Sequence, residues 1–190
     1  MLWSKVWSKI RVSGWLLIFF LQMMWLLKIM PRFWWMRRMG RKKEVEQIMQ
    51  RTSLRWGRGV LNNLHCHVAV EGLEHLPSDG PVVVLSNHQG LYDIPLLMAY
   101  LERLMGFVAK QQLFRIPVLA YWMRQIHCVA LDRADARSSV ALYEQLSADL
   151  VENGRGFILF PEGTRSRHPE GELGPFRQGA LRLAMREGLP

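Results

Sequence analysis

The sequence predicts an α/β protein with a largely parallel sheet flanked by helices, preceded by a helical segment of different composition. After residue 60, short apolar runs alternate with longer segments whose apolar residues recur at helical spacing. Strands that alternate with helices form parallel sheets covered on both faces. The first 60 residues instead hold 13 of the 25 Lys and Arg, two Glu, and seven of the eight Trp. We therefore divide the chain into segments 1–60 and 61–190.

The first apolar segment, residues 14–30, is interrupted only by Gln22 and Lys28. A helix needs about 20 residues to cross a ~30 Å hydrocarbon core. The 17 residues of this segment are few for a span, and we expect the segment to dip into a membrane or to lie along its surface. A cleaved signal peptide is disfavoured, because Pro31 and a dense basic stretch follow instead of a small-residue cleavage site.

The next segment, residues 32–58, interleaves basic side chains with Trp, Met and Leu. This pattern predicts a second helix with a basic face and an apolar face, so that segments one and two form an amphipathic, membrane-associated hairpin. A basic chain can bind nucleic acid, but basic residues mixed with Trp favour anionic lipid. We expect a membrane surface and no nucleic acid as the partner. A solvated helix packed on the following domain remains the alternative.

Residues 61–190 divide into alternating elements bounded by turn residues. The clearest helix is 137–153, in which Val140, Leu142, Leu146 and Leu150 keep helical spacing until Gly154 stops it. Five shorter apolar runs are predicted to be strands, and His88 and Glu162 follow two of them at the carboxyl edge of the sheet. The predicted strands are 64–71, the run from residue 82, 106–109, 126–131 and 155–160, and the predicted helices are 95–104, 116–124, 137–153 and 176–187.

The two cysteines, Cys66 and Cys128, are too few for a disulfide framework. His65 and His67 flank Cys66, which raises a metal site, but no second cluster with ligand spacing follows. The alternation of this segment into Val68 and beyond predicts an ordinary first strand with a buried free thiol. We expect no metal.

The stretch 82–95 runs from a β-branched apolar strand into His88, with Asp93 five residues later. Five helical residues turn a chain by about 500°, so the two side chains cannot face each other on one helix and must meet across a turn. Pro95 suits the first turn of a helix, which places Asp93 near a helix N-terminus, where a carboxylate is favoured. A histidine at a strand end within reach of a carboxylate is a general base with the group that orients it.

These residues resemble a known family. Asn87 and His88, with Asp93, resemble the first signature of the glycerolipid acyltransferases, and residues 160–166, Phe-Pro-Glu-Gly-Thr-Arg-Ser, resemble the second. Residues 110–117 and 129–133 also fit the intermediate segments of that family. The nearest match is the group of 1-acyl-glycerol-3-phosphate acyltransferases, and the resemblance covers roughly residues 65–190.

The resemblance implies acyl transfer from a thioester to a glycerol hydroxyl. His88 would take the proton of the hydroxyl as it attacks, and Asp93 would hold the ring in the right tautomer. No nucleophilic residue of the protein is needed, and the sequence contains no G-x-S-x-G elbow. The donors that stabilise the oxyanion would be loop amides after His88 or groups near Lys110. Asn87 and Lys110 are therefore possible site residues.

A site for the phosphate of the acceptor needs cationic side chains and a backbone that can approach the phosphate closely. Arg165 can bind a phosphate through two hydrogen bonds, Gly163 and Thr164 permit close approach, and Arg133 lies at another strand end. Phosphate would repel Glu162, so we expect this carboxylate to orient Arg165 or to bind a glycerol hydroxyl. Solvent-exposed or purely structural roles for Arg165, Arg133 and Lys110 remain open.

The expected function is transfer of a fatty acyl group from acyl-CoA or acyl carrier protein to the sn-2 hydroxyl of 1-acyl-glycerol-3-phosphate, giving phosphatidate for phospholipid synthesis. The thioester is a co-substrate, and no cofactor is expected. The domain is expected at the inner membrane, on its cytoplasmic side, because the larger basic cluster follows the apolar segment. The alternatives are another lysolipid acceptor, a metal-dependent phosphoesterase with His88 and Asp93 as ligands, and a non-catalytic membrane-binding module.

Family members continue with a proline-containing apolar motif at the point where this sequence stops, Leu189 and Pro190. We therefore expect the acyltransferase domain, residues 61–190, to be truncated at its C-terminus and its parallel sheet to lack a closing strand.

Overall fold

The structure is a computed structural model, which describes residues 14, 17, 20–22, 24, 27–132, 136–166, 174–176 and 185–189, with the side chains of 136–141 left out. Within these described residues, helices α1 and α2 precede the sheet, and four strands alternate with three further helices. The bounds are α1 Met30–Arg38, α2 Lys42–Asn63, β1 Val82–Leu85, α3 Asp93–Tyr100, β2 Met105–Lys110, α4 Pro117–Gln125, β3 Val129–Leu131, α5 Ala136–Asn153 and β4 Gly156–Leu159.

The four strands form one parallel sheet in the order β1-β4-β2-β3. Strands β1 and β4 lie side by side although their first residues are 74 positions apart in the sequence, and their register pairs Val82 with Gly156 and Leu85 with Leu159. The two strands therefore end at the same level. The loops that follow them meet at one edge of the sheet, which is where ligand sites of open parallel sheets lie.

Each face of the sheet carries its own core. Alternate residues of a strand point to opposite faces, and in β4 Ile158 packs toward α1, α2 and α4 whereas Phe157 packs toward α5. The first core receives residues from the N-terminal helices, among them Phe33, Met36 and Met49. The second core contains three leucines of α5, the same ones that kept helical spacing in the sequence: Leu142, Leu146 and Leu150. The predicted sheet covered on both faces is confirmed.

The strands predicted near residues 82, 106–109, 126–131 and 155–160 are present, although β3 is shorter than predicted. The helices predicted at 95–104, 116–124 and 137–153 are also present, each within a few residues of α3, α4 and α5. For 176–187, Phe176 is not helical and Met185 to Glu187 are, and the residues between them lie outside the described part of the chain.

The strand predicted at 64–71 is wrong, because this segment has no regular structure. The amide of His65 donates to the carbonyl of Asn62 at 3.0 Å and that of Cys66 donates to Leu61 at 3.1 Å. These amides close the C-terminus of α2 and are not available to a neighbouring strand. The thiol of Cys66 is exposed rather than buried.

The single helix predicted at 32–58 is also wrong, because the chain forms α1 and α2 with a break at Gly40. Gly40 has φ +74°, a left-handed conformation that ends helices and that glycine adopts without strain. Among the described residues, no helix is long and apolar enough to cross a membrane. Helix α2 buries Val45 and Met49 in the first core, together with residues of the sheet. The division of the chain into two domains at residue 60 therefore stays a prediction.

Candidate active site

The loops after β1 and β4 form the site. Leu85 and Leu159 are the last paired residues of the two strands, and the amide of Ser86 donates to the carbonyl of Leu159 at 3.0 Å. His88 follows Leu85 by three residues, and Glu162 follows Leu159 by three. The level register of the strands therefore brings the two signature segments together, as their positions at strand ends predicted.

His88 and Asp93 form a hydrogen-bonded pair. The Nδ1 atom of His88 lies 2.6 Å from Oδ2 of Asp93, and the two side chains are 19% and 20% exposed. Asp93 is the first residue of α3, so its carboxylate lies at the positive end of the helix dipole. The chain makes the predicted contact across the turn at residues 89–92.

The hydrogen bonds of Asp93 determine the tautomer of His88. Its Oδ2 atom also accepts the amides of Gln89 at 2.8 Å and Gly90 at 3.0 Å. An oxygen that accepts two backbone N–H groups acts as an acceptor toward the imidazole as well, so Nδ1 of His88 donates. In a neutral ring the other nitrogen, Nε2, then carries the lone pair. This arrangement leaves Nε2 able to accept a proton.

The loop 160–166 holds His88 from the other side. The ring of Phe160 stacks on the imidazole with 4.3 Å between centroids and an interplanar angle of 26°. The amide of His88 donates to Oε1 of Glu162 at 3.2 Å, and the carbonyl of His88 accepts from the amide of Ser166 at 2.6 Å. The sequence did not predict these contacts.

Of the predicted phosphate residues, Gly163, Thr164 and Arg165 lie at this edge of the sheet. Gly163 has φ +68° and donates its amide to the carbonyl of Phe160 at 2.9 Å, which closes a tight turn. Thr164 and Arg165 follow on the exposed side. Within the part of the chain that the structure describes, the guanidinium of Arg165 has no hydrogen-bond or ion-pair partner. Arg133 lies outside the described residues.

Lys110 and Asn87, the two possible site residues, are both exposed. Lys110 ends β2, which neighbours β4, so it reaches the same edge. The amides of Gln89 and Gly90 are already donated to Asp93. Two of the loop amides after His88 are therefore engaged with Asp93, and Lys110 stays a possible site residue.

Comparison with known proteins identifies the family. The family model Acyltransferase matches residues 67–190, which is more than half of the chain and includes both signatures. The chain belongs to the acyltransferase family.

Relatives within this family are similar across the same region. The 1-acyl-sn-glycerol-3-phosphate acyltransferase BAT2, chloroplastic, of Brassica napus is 42% identical over 64% of this chain and 34% of its own length. The 1-acyl-sn-glycerol-3-phosphate acyltransferase of Pseudomonas aeruginosa is 31% identical over 64% of this chain and 46% of its own length. The chain thus spans a third to a half of these relatives.

A solved structure has the same fold. The crystal structure of the 1-acyl-sn-glycerophosphate acyltransferase PlsC from Thermotoga maritima matches with a TM-score of 0.63 and 35% identity, covering 80% of this chain and 58% of that one. The α/β architecture with a parallel sheet is therefore shared with this acyltransferase.

A large apolar cavity adjoins the site in this family member. Its volume is about 390 Å³, within the range of roughly 300–1,000 Å³ that is typical of small-molecule sites. Leu91 and Ile94, on either side of Asp93, form part of its wall, and most of the other lining residues belong to the sheet and to α2, α3 and α4. Further lining residues include Met49, Trp56, Met98, Phe107, Leu119 and Trp122.

The sequence did not indicate this cavity, because its walls come from segments that are far apart in the chain. Cys128 also lines it, and burial raises the pKa of this thiol to about 12. The thiol is therefore protonated at neutral pH and acts as an apolar wall. Among the described residues, no three His, Cys, Asp or Glu side chains converge on a possible metal site.

Proposed function

We propose that this chain transfers a fatty acyl group from a thioester, acyl-CoA or acyl carrier protein, to the sn-2 hydroxyl of 1-acyl-glycerol-3-phosphate. The observation that carries the proposal is the His88–Asp93 pair, 2.6 Å apart, beside an apolar cavity of about 390 Å³. A base next to a cavity for a long apolar chain suits a reaction between lipids. The names of the relatives, which are 1-acyl-sn-glycerol-3-phosphate acyltransferases, support the acceptor.

In the proposed reaction, His88 first accepts one proton and then donates it. Nε2 of His88 takes the proton of the sn-2 hydroxyl as the oxygen attacks the thioester carbonyl, and Asp93 stabilises the imidazolium that forms. The tetrahedral intermediate then collapses, the carbon–sulfur bond breaks, and the imidazolium returns its proton to the leaving thiolate. The products are phosphatidate and the free thiol, and no cofactor takes part.

The phosphate of the acceptor is proposed to bind Arg165. This guanidinium is exposed, and the described part of the chain offers it no competing carboxylate. It can therefore give two hydrogen bonds to a phosphate. Arg133 is proposed as a second cation, with Gly163, Thr164 and Lys110 at the rim of the same edge.

The apolar cavity is proposed to hold an acyl chain. Its walls are almost wholly hydrocarbon and aromatic, and it reaches the residues that flank Asp93. An acyl chain bound there is desolvated, at roughly 0.8 kcal/mol of stabilisation per buried CH₂, while its carbonyl end stays near His88.

Helix α1 is proposed to bind an anionic membrane surface. It buries Phe33 and Met36 against α2 and leaves Trp34 65% and Trp35 48% exposed, with Met39 beyond them at 60%. Exposed Trp and Met beside Arg32, Arg37 and Arg38 suit the interface between lipid headgroups and acyl chains. We place the protein at the inner membrane, with the site on the cytoplasmic side.

The test is release of free thiol from acyl-CoA by protein reconstituted in vesicles, with and without 1-acyl-glycerol-3-phosphate. We expect release only with the acceptor, and a loss of about 10²-fold or more in His88→Ala. A parallel arm uses acyl carrier protein as donor. Absence of release with both donors, or release that persists in His88→Ala, would contradict the proposal.

A second measurement tests the acceptor. Arg165→Ala should raise the KM for 1-acyl-glycerol-3-phosphate about tenfold or more, because a charged hydrogen bond to phosphate contributes roughly 1.5–3 kcal/mol. Arg186→Ala is the matched control, since its side chain is 72% exposed and pairs only with Glu187 among the described residues. Equal KM values in the wild type and in Arg165→Ala would point to another lysolipid acceptor.

A further inference from the structure

We infer that Glu162 is a positioning residue for the base. Its carboxylate holds the backbone N–H of His88 and thereby sets the direction of the imidazole. The inference rests on the proposed acyl transfer, and it assigns Glu162 a role different from the binding of Arg165 or of a glycerol hydroxyl that the sequence suggested.

The loop 160–166 replaces the sheet hydrogen bonds beyond the end of β1. The last bond between the strands joins the amide of Ser86 to the carbonyl of Leu159. Two residues later, the amide of His88 donates to Oε1 of Glu162 at 3.2 Å, and the carbonyl of His88 accepts from the amide of Ser166 at 2.6 Å. Both backbone groups of His88 are thus held by the segment that follows β4. His88 is fixed like a strand residue although it lies in a loop.

The side chain of His88 is fixed by a complementary set of contacts. Asp93 holds Nδ1 and Phe160 covers one face of the ring. With the backbone held as well, the lone pair of Nε2 points in one direction. Positioning of this kind matters because a displacement of about 1 Å of a reacting group costs about 10²-fold in rate.

The carboxylate of Glu162 also lies close to the backbone at Gly174. A Cβ atom built on Gly174, which is buried, would lie 2.7 Å from Oε2 of Glu162. One carboxylate oxygen therefore contacts the amide of His88 while the other packs on the backbone at residue 174. In the described part of the chain, the carboxylate makes no ion pair with Arg165. This geometry favours His88 as the partner of Glu162.

The test separates positioning from substrate binding by the split between kcat and KM. Glu162→Ala should lower kcat about 10- to 100-fold and leave the KM for 1-acyl-glycerol-3-phosphate unchanged within about twofold. Glu162→Gln should retain most of the rate, because its amide oxygen still accepts the N–H of His88. Gly174→Ala should lower kcat as Glu162→Ala does, because the added methyl group pushes the carboxylate away. Gly59→Ala is the matched control, since among the described residues no atom beyond its chain neighbours and the backbone of its own helix lies within 4 Å of its Cβ position.

Two kinetic results would overturn the inference. A raised KM with normal kcat in Glu162→Ala would make Glu162 an acceptor ligand, and an equal loss of kcat in Glu162→Gln and Glu162→Ala would assign the effect to charge instead of the hydrogen bond. Thermal unfolding of each variant checks that the fold is retained.

A spectroscopic arm needs no activity and so distinguishes failure of this inference from failure of the proposed function. In protein labelled with ¹⁵N-histidine in detergent micelles, the ring nitrogens of His88 should report protonated Nδ1 in the wild type and in Glu162→Gln. In Glu162→Ala they should shift or broaden. If the wild type transfers no acyl group, these spectra alone decide, and identical His88 signals in all three proteins would overturn the inference.

Discussion

Two histidines at opposite ends of one sheet show what makes such a residue a candidate base. His88 follows β1 at the carboxyl edge and His127 precedes β3 at the amino edge. Both side chains are largely buried, 19% and 12% exposed, and each has a carboxylate nearby. The carboxylate lies 2.6 Å from Nδ1 of His88, but Glu46 lies 3.7 Å from Nε2 of His127, beyond hydrogen-bond distance.

The surroundings of His127 keep its ring neutral. Burial, with the charges of Arg155 and Arg37, lowers its pKa to about 4, against an opposing effect of Asp149. Its Nε2 atom is buried and finds no hydrogen-bond partner within the described part of the chain. A buried histidine without a close partner is a packing residue, whereas one with a hydrogen-bonded carboxylate at a loop edge is equipped to accept a proton. Residue type and burial are therefore shared, and the partner distance makes the difference.

The largest expected effect is that of changing Asp93, with the same change at Glu46 as its control. In Asp93→Asn the side-chain oxygen can still accept from Gln89, Gly90 and His88, but the negative charge that stabilises the imidazolium is lost, and the acyl transfer rate should fall about 10²- to 10⁴-fold. Glu46→Gln, the matched change beside His127, should leave the rate within about twofold. The measurement is thiol release with saturating acceptor. Equal losses in both variants would show that distance to the histidine does not matter.

The second prediction concerns stability against pH. The unfolded chain protonates His127 near pH 6.5 and the folded chain only near pH 4. Because the unfolded state binds the extra proton, the free energy of unfolding should fall as the pH drops from about 6.5 to about 4, by roughly 3 kcal/mol in all. His127→Asn tolerates the positive φ of 62° and should lack this contribution.

The measurement is denaturant unfolding of both proteins between pH 7.5 and pH 4. The other titrating groups are common to the two proteins, so the difference between the curves isolates His127. If the curves stay parallel, the ring is solvated and the contrast with His88 is wrong.

The smallest expected effect tests how the N-terminal helices support the carboxyl edge. Gly57 of α2 packs where α3 begins, and a Cβ there would lie 2.4 Å from the carbonyl oxygen of Pro95. Gly57→Ala should destabilise the protein by about 1–3 kcal/mol through overpacking and displace Asp93, which lies two residues before Pro95. Gly59→Ala, with open space at its Cβ, should stabilise α2 by up to about 1 kcal/mol.

Chemical unfolding midpoints of the two glycine variants provide the comparison, and thiol release reports on Asp93. An unchanged midpoint and rate in Gly57→Ala would mean that α2 is not packed on α3 as closely as described.

The errors made from the sequence have local explanations. The segment 64–71 has the alternation of a strand, but the amides of His65 and Cys66 donate to carbonyls at the end of α2, and no strand among the described residues pairs with this segment. Gly40 is a usual helix-ending residue after Arg37 and Arg38, so the break between α1 and α2 was visible in the sequence. The mixture of basic and apolar residues continues on both sides of Gly40, and this pattern predicted one continuous helix instead.

The sequence by itself determined the four strands of the sheet and the helix periodicity of α5, because apolar runs and turn residues are readable within a few positions. The two signatures, with His88, Asp93 and the 160–166 segment, were recognised by their resemblance to a known family. Only the tertiary structure decided the contact of Glu162 with His88, the support of Glu162 by Gly174 and the cavity behind the site. Each joins segments far apart in the chain, and their distances depend on strand order, register and helix packing, which no local pattern encodes.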